Sequence, residues 1–247
     1  MRTFVGEMAK RVACIGDSLT WGFTLRDPWR ESYPALLQEM LGTDFTVRNF
    51  GCNGASVRAD SYSPYTDTAA FRSSLAWMPD IVLLMLGSND CVPQEWDPGA
   101  FRRDYERIVG SYCGLSARPY TADRECLSQP HIADRVFPSS QPHITDREFS
   151  SSQSCLTDRD FPSRPRLILI APIRMFRVMG YTFMDLSPET LENGVRPAIR
   201  AIAADNDLEF VDLRDVISDS RYCCDGVHPQ AEGTRLVAEA IYAKVAW

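Results

Sequence analysis

Short, mainly apolar runs alternate along the chain with stretches whose apolar residues recur every three or four positions. The runs lie at residues 12–15 (VACI), 45–50 (FTVRNF), 80–86 (DIVLLML), 166–172 (RLILIAP) and 208–213 (LEFVDL). Each has the length of a strand, and 80–86, the most apolar, reads as a central strand buried on both faces, as parallel strands are. Helical periodicity fills the intervals at 31–42, 66–77, 101–113, 187–206 and 230–245. The punctuation agrees. Ser32, Pro34 and Gly42 suit the start and stop of the first helix. Ser187 followed by Pro188 suits the start of the fourth, which Pro197 should kink or divide. Strands that alternate with helices predict a three-layer α/β/α fold, a doubly wound sheet of five parallel strands.

One segment breaks the pattern. Residues 114–165 contain a tandem repeat in which PHIADRVFPSSQ is followed by PHITDREFSSSQ, with degenerate copies on either side. It is rich in Ser, Pro, Asp and Arg and has neither period. It reads as a low-complexity surface insertion into a single domain spanning 1–247. A sharper alternative is an interaction arm whose Asp-Arg pairs and Phe residues contact a protein partner. His131 and His143 recur with the repeat, so their spacing implies no metal site.

Composition narrows the classes of function. The net charge of −7 opposes a nucleic-acid binder or a protein held on an anionic membrane. No apolar run reaches the length of a membrane span, and residues 1–10 lack the apolar core of a secretory leader, so a cytoplasmic location is expected. The eight cysteines include the vicinal pair Cys223-Cys224 but no Cys-x-x-Cys or zinc-like spacing, so mostly free thiols are expected.

The candidate chemistry sits at the strand ends, where an open parallel sheet binds its ligands. Ser18 ends the first strand in Gly-Asp-Ser, Gly54 follows the second, Asn89 follows the third, and Asp225 and His228 precede the last helix. Acyl transfer needs a nucleophile, a base, a group to orient the base, and donors for an oxyanion. Ser18 offers a hydroxyl, and His228 is the one histidine outside the repeat. Asp225, three residues earlier, is in reach of the same imidazole. The N–H groups of Ser18 and Gly54 and the Asn89 amide are candidate oxyanion donors. Each residue also has a plainer role: Ser18 as a helix cap, Asp225 as a turn cap, Asn89 and Asp90 as loop braces, Gly54 as a positive-φ hinge, His228 as a surface residue. Taken together and in order, they favour the chemical role.

These blocks resemble the SGNH hydrolases, or GDSL esterases. The resemblance rests on Gly16-Asp17-Ser18-Leu19, on Gly54 within residues 49–54, on Gly87-Ser88-Asn89-Asp90 and on Asp225-Gly226-Val227-His228. It covers residues 11–113 and 166–247. It implies a flavodoxin-like fold and a Ser-His-Asp mechanism with neither metal nor organic cofactor. Ser18 is then nucleophile and oxyanion donor, Gly54 and Asn89 the other donors, His228 the base and Asp225 its orienter. The Ser32-Tyr33-Pro34-Ala35 segment and the surroundings of Asn89 are most similar to the sialate and other carbohydrate O-acetylesterases. Trp21, Trp29, Phe176 and Tyr181 are candidates to line the substrate site. No strongly apolar lid is visible, which favours a small acyl group, most simply acetyl, on a polar alcohol such as a sugar. Two alternatives stand: a lysophospholipase or thioesterase acting on longer acyl chains, and a non-catalytic module that binds through the repeat.

Overall fold

The hydrophobic runs become the strands of one sheet. A computed structural model describes residues 9–114 and 164–246. The repeat, with any arm it forms, falls at 115–163, outside the described residues. The strands are β1 (Lys10–Gly16), β2 (Phe45–Gly51), β3 (Ile81–Met85), β4 (Arg166–Ala171) and β5 (Glu209–Asp212). All adjacent pairs are parallel, in the order β2-β1-β3-β4-β5. The run at 80–86 thus forms the middle strand, and every residue of β3 is buried. The edge strands differ: β2 alternates along its length and β5 is only half-buried, as one neighbour instead of two allows.

Eight helices of the described residues pack around the sheet: α1 (Ser18–Trp21), α2 (Pro28–Glu31), α3 (Tyr33–Leu41), α4 (Ala69–Trp77), α5 (Pro98–Cys113), α6 (Pro188–Thr190), α7 (Arg196–Asp205) and α8 (Ala231–Val245). Right-handed crossovers fix their sides, because the chain reverses direction across the sheet after β2. Helices α3 and α8 cover one face and pack on each other, while α4, α5 and α7 cover the other. This is the expected three-layer arrangement.

Helix boundaries depart from the sequence pattern where caps decide them. Helix α5 starts at Pro98, three residues before its apolar periodicity, because the Asp97 carboxylate accepts from the N–H groups of Gly99 and Ala100. Ser32 precedes α3 without its hydroxyl bonding the helix, which therefore starts on Pro34 geometry alone. The predicted helix at 187–206 is divided, as Pro197 requires. Residues Leu191–Val195 form a π-helical turn, and α7 restarts with Pro197 as its second residue.

The strand order reverses at β1, which β2 and β3 flank. In the register, Gly16 stands opposite Gly51 on one side and Met85 on the other. The carboxyl ends of these three strands therefore open side by side, at the point where doubly wound sheets hold ligands. The core behind them is aliphatic: Val12, Ile15, Leu83, Leu84 and Ile168 are fully buried. Leu83→Ala should lower the unfolding free energy in urea by about 2–5 kcal/mol, the usual cost of a cavity in a core that cannot collapse.

Candidate active site

Ser18 does not cap a helix. Asp17 does: its Oδ1 accepts from the Leu19 N–H at 2.9 Å, and Ser18 opens the single turn α1. This turn lifts the Ser18 side chain off the end of β1. Its Oγ lies 2.8 Å from His228 Nε2, and His228 Nδ1 lies 2.6 Å from Asp225 Oδ2. Three donors converge on Asp225, since its Oδ1 also accepts from the N–H groups of Val227 and His228 at 2.9 and 2.8 Å. The turn that permits this carries Gly226 at φ +84°, where a Cβ would stand 2.1 Å from the Phe176 carbonyl oxygen. Burial alone would raise the Asp225 carboxyl. The bond to His228 and the two backbone donors outweigh it and hold the group below the usual carboxylate range. A carboxylate that remains charged fixes the imidazole with its proton on Nδ1. Nε2 is left to accept from Ser18.

The remaining predicted residues lie on the loops that follow β2 and β3. Gly54 takes φ +75° with open space where a side chain would be, so its hinge role and close access to a ligand coexist. Asn89 uses its amide to bond the Ala55 carbonyl at 2.9 Å, which ties the second block to the third. Asp90 reinforces this tie, accepting from the N–H groups of Val57 and Arg58 at 2.9 and 3.1 Å. The plain brace role is therefore real for Asp90. For Asn89 the brace uses one amide proton and leaves the second for a ligand. Among the described residues, no group of three or more His, Cys, Asp and Glu is placed to hold a metal ion.

Two aromatic residues missed in the sequence stand against the imidazole. The Phe23 and Phe183 rings lie 4.8 and 4.9 Å from that of His228, centroid to centroid. Phe183 arrives from the loop after β4, which is bonded to the loop of Asp225 at two points. The Phe176 N–H donates to the Gly226 carbonyl at 2.7 Å, and the Phe183 N–H to the Asp225 carbonyl at 3.1 Å. Phe176, predicted to line the site, is bonded to the loop of Asp225 through its backbone, and its half-buried side chain packs against the core, as that of Phe183 also does. Trp21 lies three residues beyond Ser18 on α1, its ring 6.5 Å from that of Trp29, and Tyr181 is well exposed. The one available signal for Phe23 was its place five residues after Ser18. Phe183 had none, because its loop has no periodicity.

Comparison with known proteins identifies the family. Residues 14–148 match the GDSL-like Lipase/Acylhydrolase family, and the chain belongs to it. An acetylxylan esterase of Xylanibacter ruminicola is 28% identical over 242 residues. That alignment takes in 97% of this chain but 44% of the relative, so the chain spans less than half of that protein's length. The fold is shared with a carbohydrate acetylesterase family member from Sinorhizobium meliloti, at TM-score 0.64 and 23% identity over 96% of this chain and 97% of that one. It is shared equally with the aryl esterase of M. smegmatis, at TM-score 0.66 and 20% identity over 96% and 99%. No described helix is long and apolar enough to cross a membrane.

One group at the site carries an electrostatic cost. Asp17 is fully buried, and its Oδ2 meets no donor at hydrogen-bond geometry. The Ser88 hydroxyl, itself unpartnered, stands beside it. Burial, only partly offset by the Leu19 N–H and Ser88, pushes the Asp17 carboxyl up to about 6. Below the ordinary carboxylate value both folded and unfolded chains hold this proton, and folding pays nothing. As pH rises through about 6 the unfolded chain has already released it, so stability falls by on the order of 3 kcal/mol. Asp17→Asn keeps the cap and removes the charge. It should raise the urea-derived stability near pH 8 by that order and change it little near pH 4.

Proposed function

We propose that the chain is a serine carboxylic ester hydrolase that removes O-acetyl groups, with acetylated carbohydrate as the substrate class. The observation that carries this is the unbroken sequence of hydrogen bonds from Ser18 through His228 to Asp225 at the switch point of the sheet. Family membership supports the reaction class. The acetylxylan esterase and carbohydrate acetylesterase among the similar proteins support the acyl and alcohol parts.

The proposed chemistry follows from the positions. Ser18 Oγ attacks the ester carbonyl as its proton passes to His228 Nε2. The new Oγ–C bond leaves an oxyanion among the N–H groups of Ser18 and Gly54 and the free Asn89 amide proton. The intermediate collapses, the C–O bond to the alcohol breaks, and His228 Nε2–H protonates the departing oxygen. Water then repeats the cycle on the acyl-enzyme, giving the acid and restoring Ser18. Asp225 stays ionised throughout and stabilises the imidazolium that forms twice.

Ser18→Ala should abolish turnover of an activated acetate ester, and retained activity would refute the proposal. Asn89→Ala should lower kcat by roughly 10²–10³, the usual cost of one oxyanion donor. A steady-state series of acetyl, butyryl and octanoyl esters of one alcohol should fall in kcat/KM with chain length. An increase would favour the longer-chain lysophospholipase or thioesterase.

A further inference from the structure

Of the two rings against His228, Phe23 is exposed and Phe183 half-buried. Their centroids are 5.8 Å apart, far closer than two rings on opposite faces of one imidazole could be. Phe23 and Phe183 therefore form a single wall on one side of His228. The imidazole is 2% exposed, whereas Phe23 in front of it is 37% exposed. An aromatic ring left open beside a buried base is a surface that a bound molecule can cover.

The backbone holds both rings at a conformational cost. Phe23 is followed by Thr24 at φ +76°, and Phe183 by Met184 and Asp185 at φ +53° and +55°. Non-glycine residues rarely take this left-handed conformation, and such residues gather where a side chain must be held in place for function. Two backbone bonds tie the loop of Phe183 to the loop of Asp225, and the Phe23 N–H donates to the Ser18 carbonyl at 3.0 Å, so each ring is anchored to a segment carrying the base's orienter or the nucleophile.

Resting on the reaction proposed above, we infer that Phe23 and Phe183 are the specificity-determining wall for the alcohol portion of the ester, selecting alcohols that present a flat, CH-rich ring face. Nε2 is the atom that hands a proton to the departing alcohol oxygen, so the group bonded to that oxygen lies next to the imidazole. The acyl oxygen is turned the other way, toward Gly54 and Asn89. The wall is thus in position to touch the alcohol. It suits an aromatic ring or the face of a pyranose, and it gives little to a short alkyl chain.

The experiment compares three acetates: ethyl acetate, benzyl acetate and an acetylated methyl xylopyranoside. Ethyl and benzyl acetate release alkyl alcohols of similar acidity, so they differ mainly in the ring. Phe183→Ala and Phe23→Ala, with Phe183→Leu as a milder variant should the alanine unfold, are assayed against the unsubstituted protein, and circular dichroism checks folding. The expected result is a loss in kcat/KM of roughly tenfold on a ring-bearing ester, carried mainly by KM, and a loss below about threefold on ethyl acetate. Selective loss on benzyl acetate alone identifies an aromatic alcohol. Selective loss on the xyloside identifies a sugar. Equal losses on all three esters, or losses carried by kcat, would overturn the inference and leave the rings as shields of the imidazole. Ser18→Ala, run in parallel, separates the two levels: if it retains turnover the reaction itself is wrong, and if it is inactive only the wall is in question.

Discussion

The site depends on β1 being paired on both edges. Because β2 and β3 hold it in parallel register, Gly16, Gly51 and Met85 end at one level. Ser18, Gly54 and Asn89 then follow within a few residues of a common line. None of the three was brought there by its own interactions. The loops are tied to the strands, as by Asn49 to Thr20 and Tyr65 to Phe50, and also to one another: Asn89 to Ala55, Asp90 to Val57 and Arg58, and Phe183 to Asp225. A rigid strand triplet sets coarse position, and cross-loop hydrogen bonds set fine position.

Much of this was legible in the chain because parallel strands covered on both faces are written as uninterrupted apolar runs. Residues 80–86 announce β3 this way, and the glycine and asparagine after it mark its end. The candidate chemistry was legible for the same reason, since polar residues capable of catalysis directly follow such runs. What escaped is what periodicity does not encode. The start of α5 was set by the Asp97 cap, and the break near Pro197 took the form of a π-helical turn. Asp17 took the capping role that Ser18 was a candidate for. Phe183 reaches His228 from a loop whose course is determined by two backbone bonds, and no property of neighbouring residues signals it.

The region around Ser18 also accepts features that a stability-optimised fold would avoid. Asp17 is buried without a full set of partners, and the residues after Phe23 and Phe183 adopt left-handed backbone. Thr24 follows Ser18 by six residues, and Met184 and Asp185 follow the ring beside His228, while Met78 and Asp207 take the same left-handed backbone in other parts of the chain. Elsewhere the described core mixes aliphatic side chains with buried aromatics such as Tyr33, Tyr65, Tyr105 and Tyr112, and it leaves the Arg196 Nε without a partner.

The sheet has two rims of opposite character. Helix α5 runs antiparallel to the strands and ends at Cys113, so Gly114 lies at the amino-terminal rim, where β4 begins at Arg166. Both attachment points of the long connection thus lie a full strand length from the rim that carries Ser18. One rim is where the chain can be lengthened or shortened. The other is where a shift of an ångström would separate a serine from its histidine. The fold assigns variation and precision to its two ends.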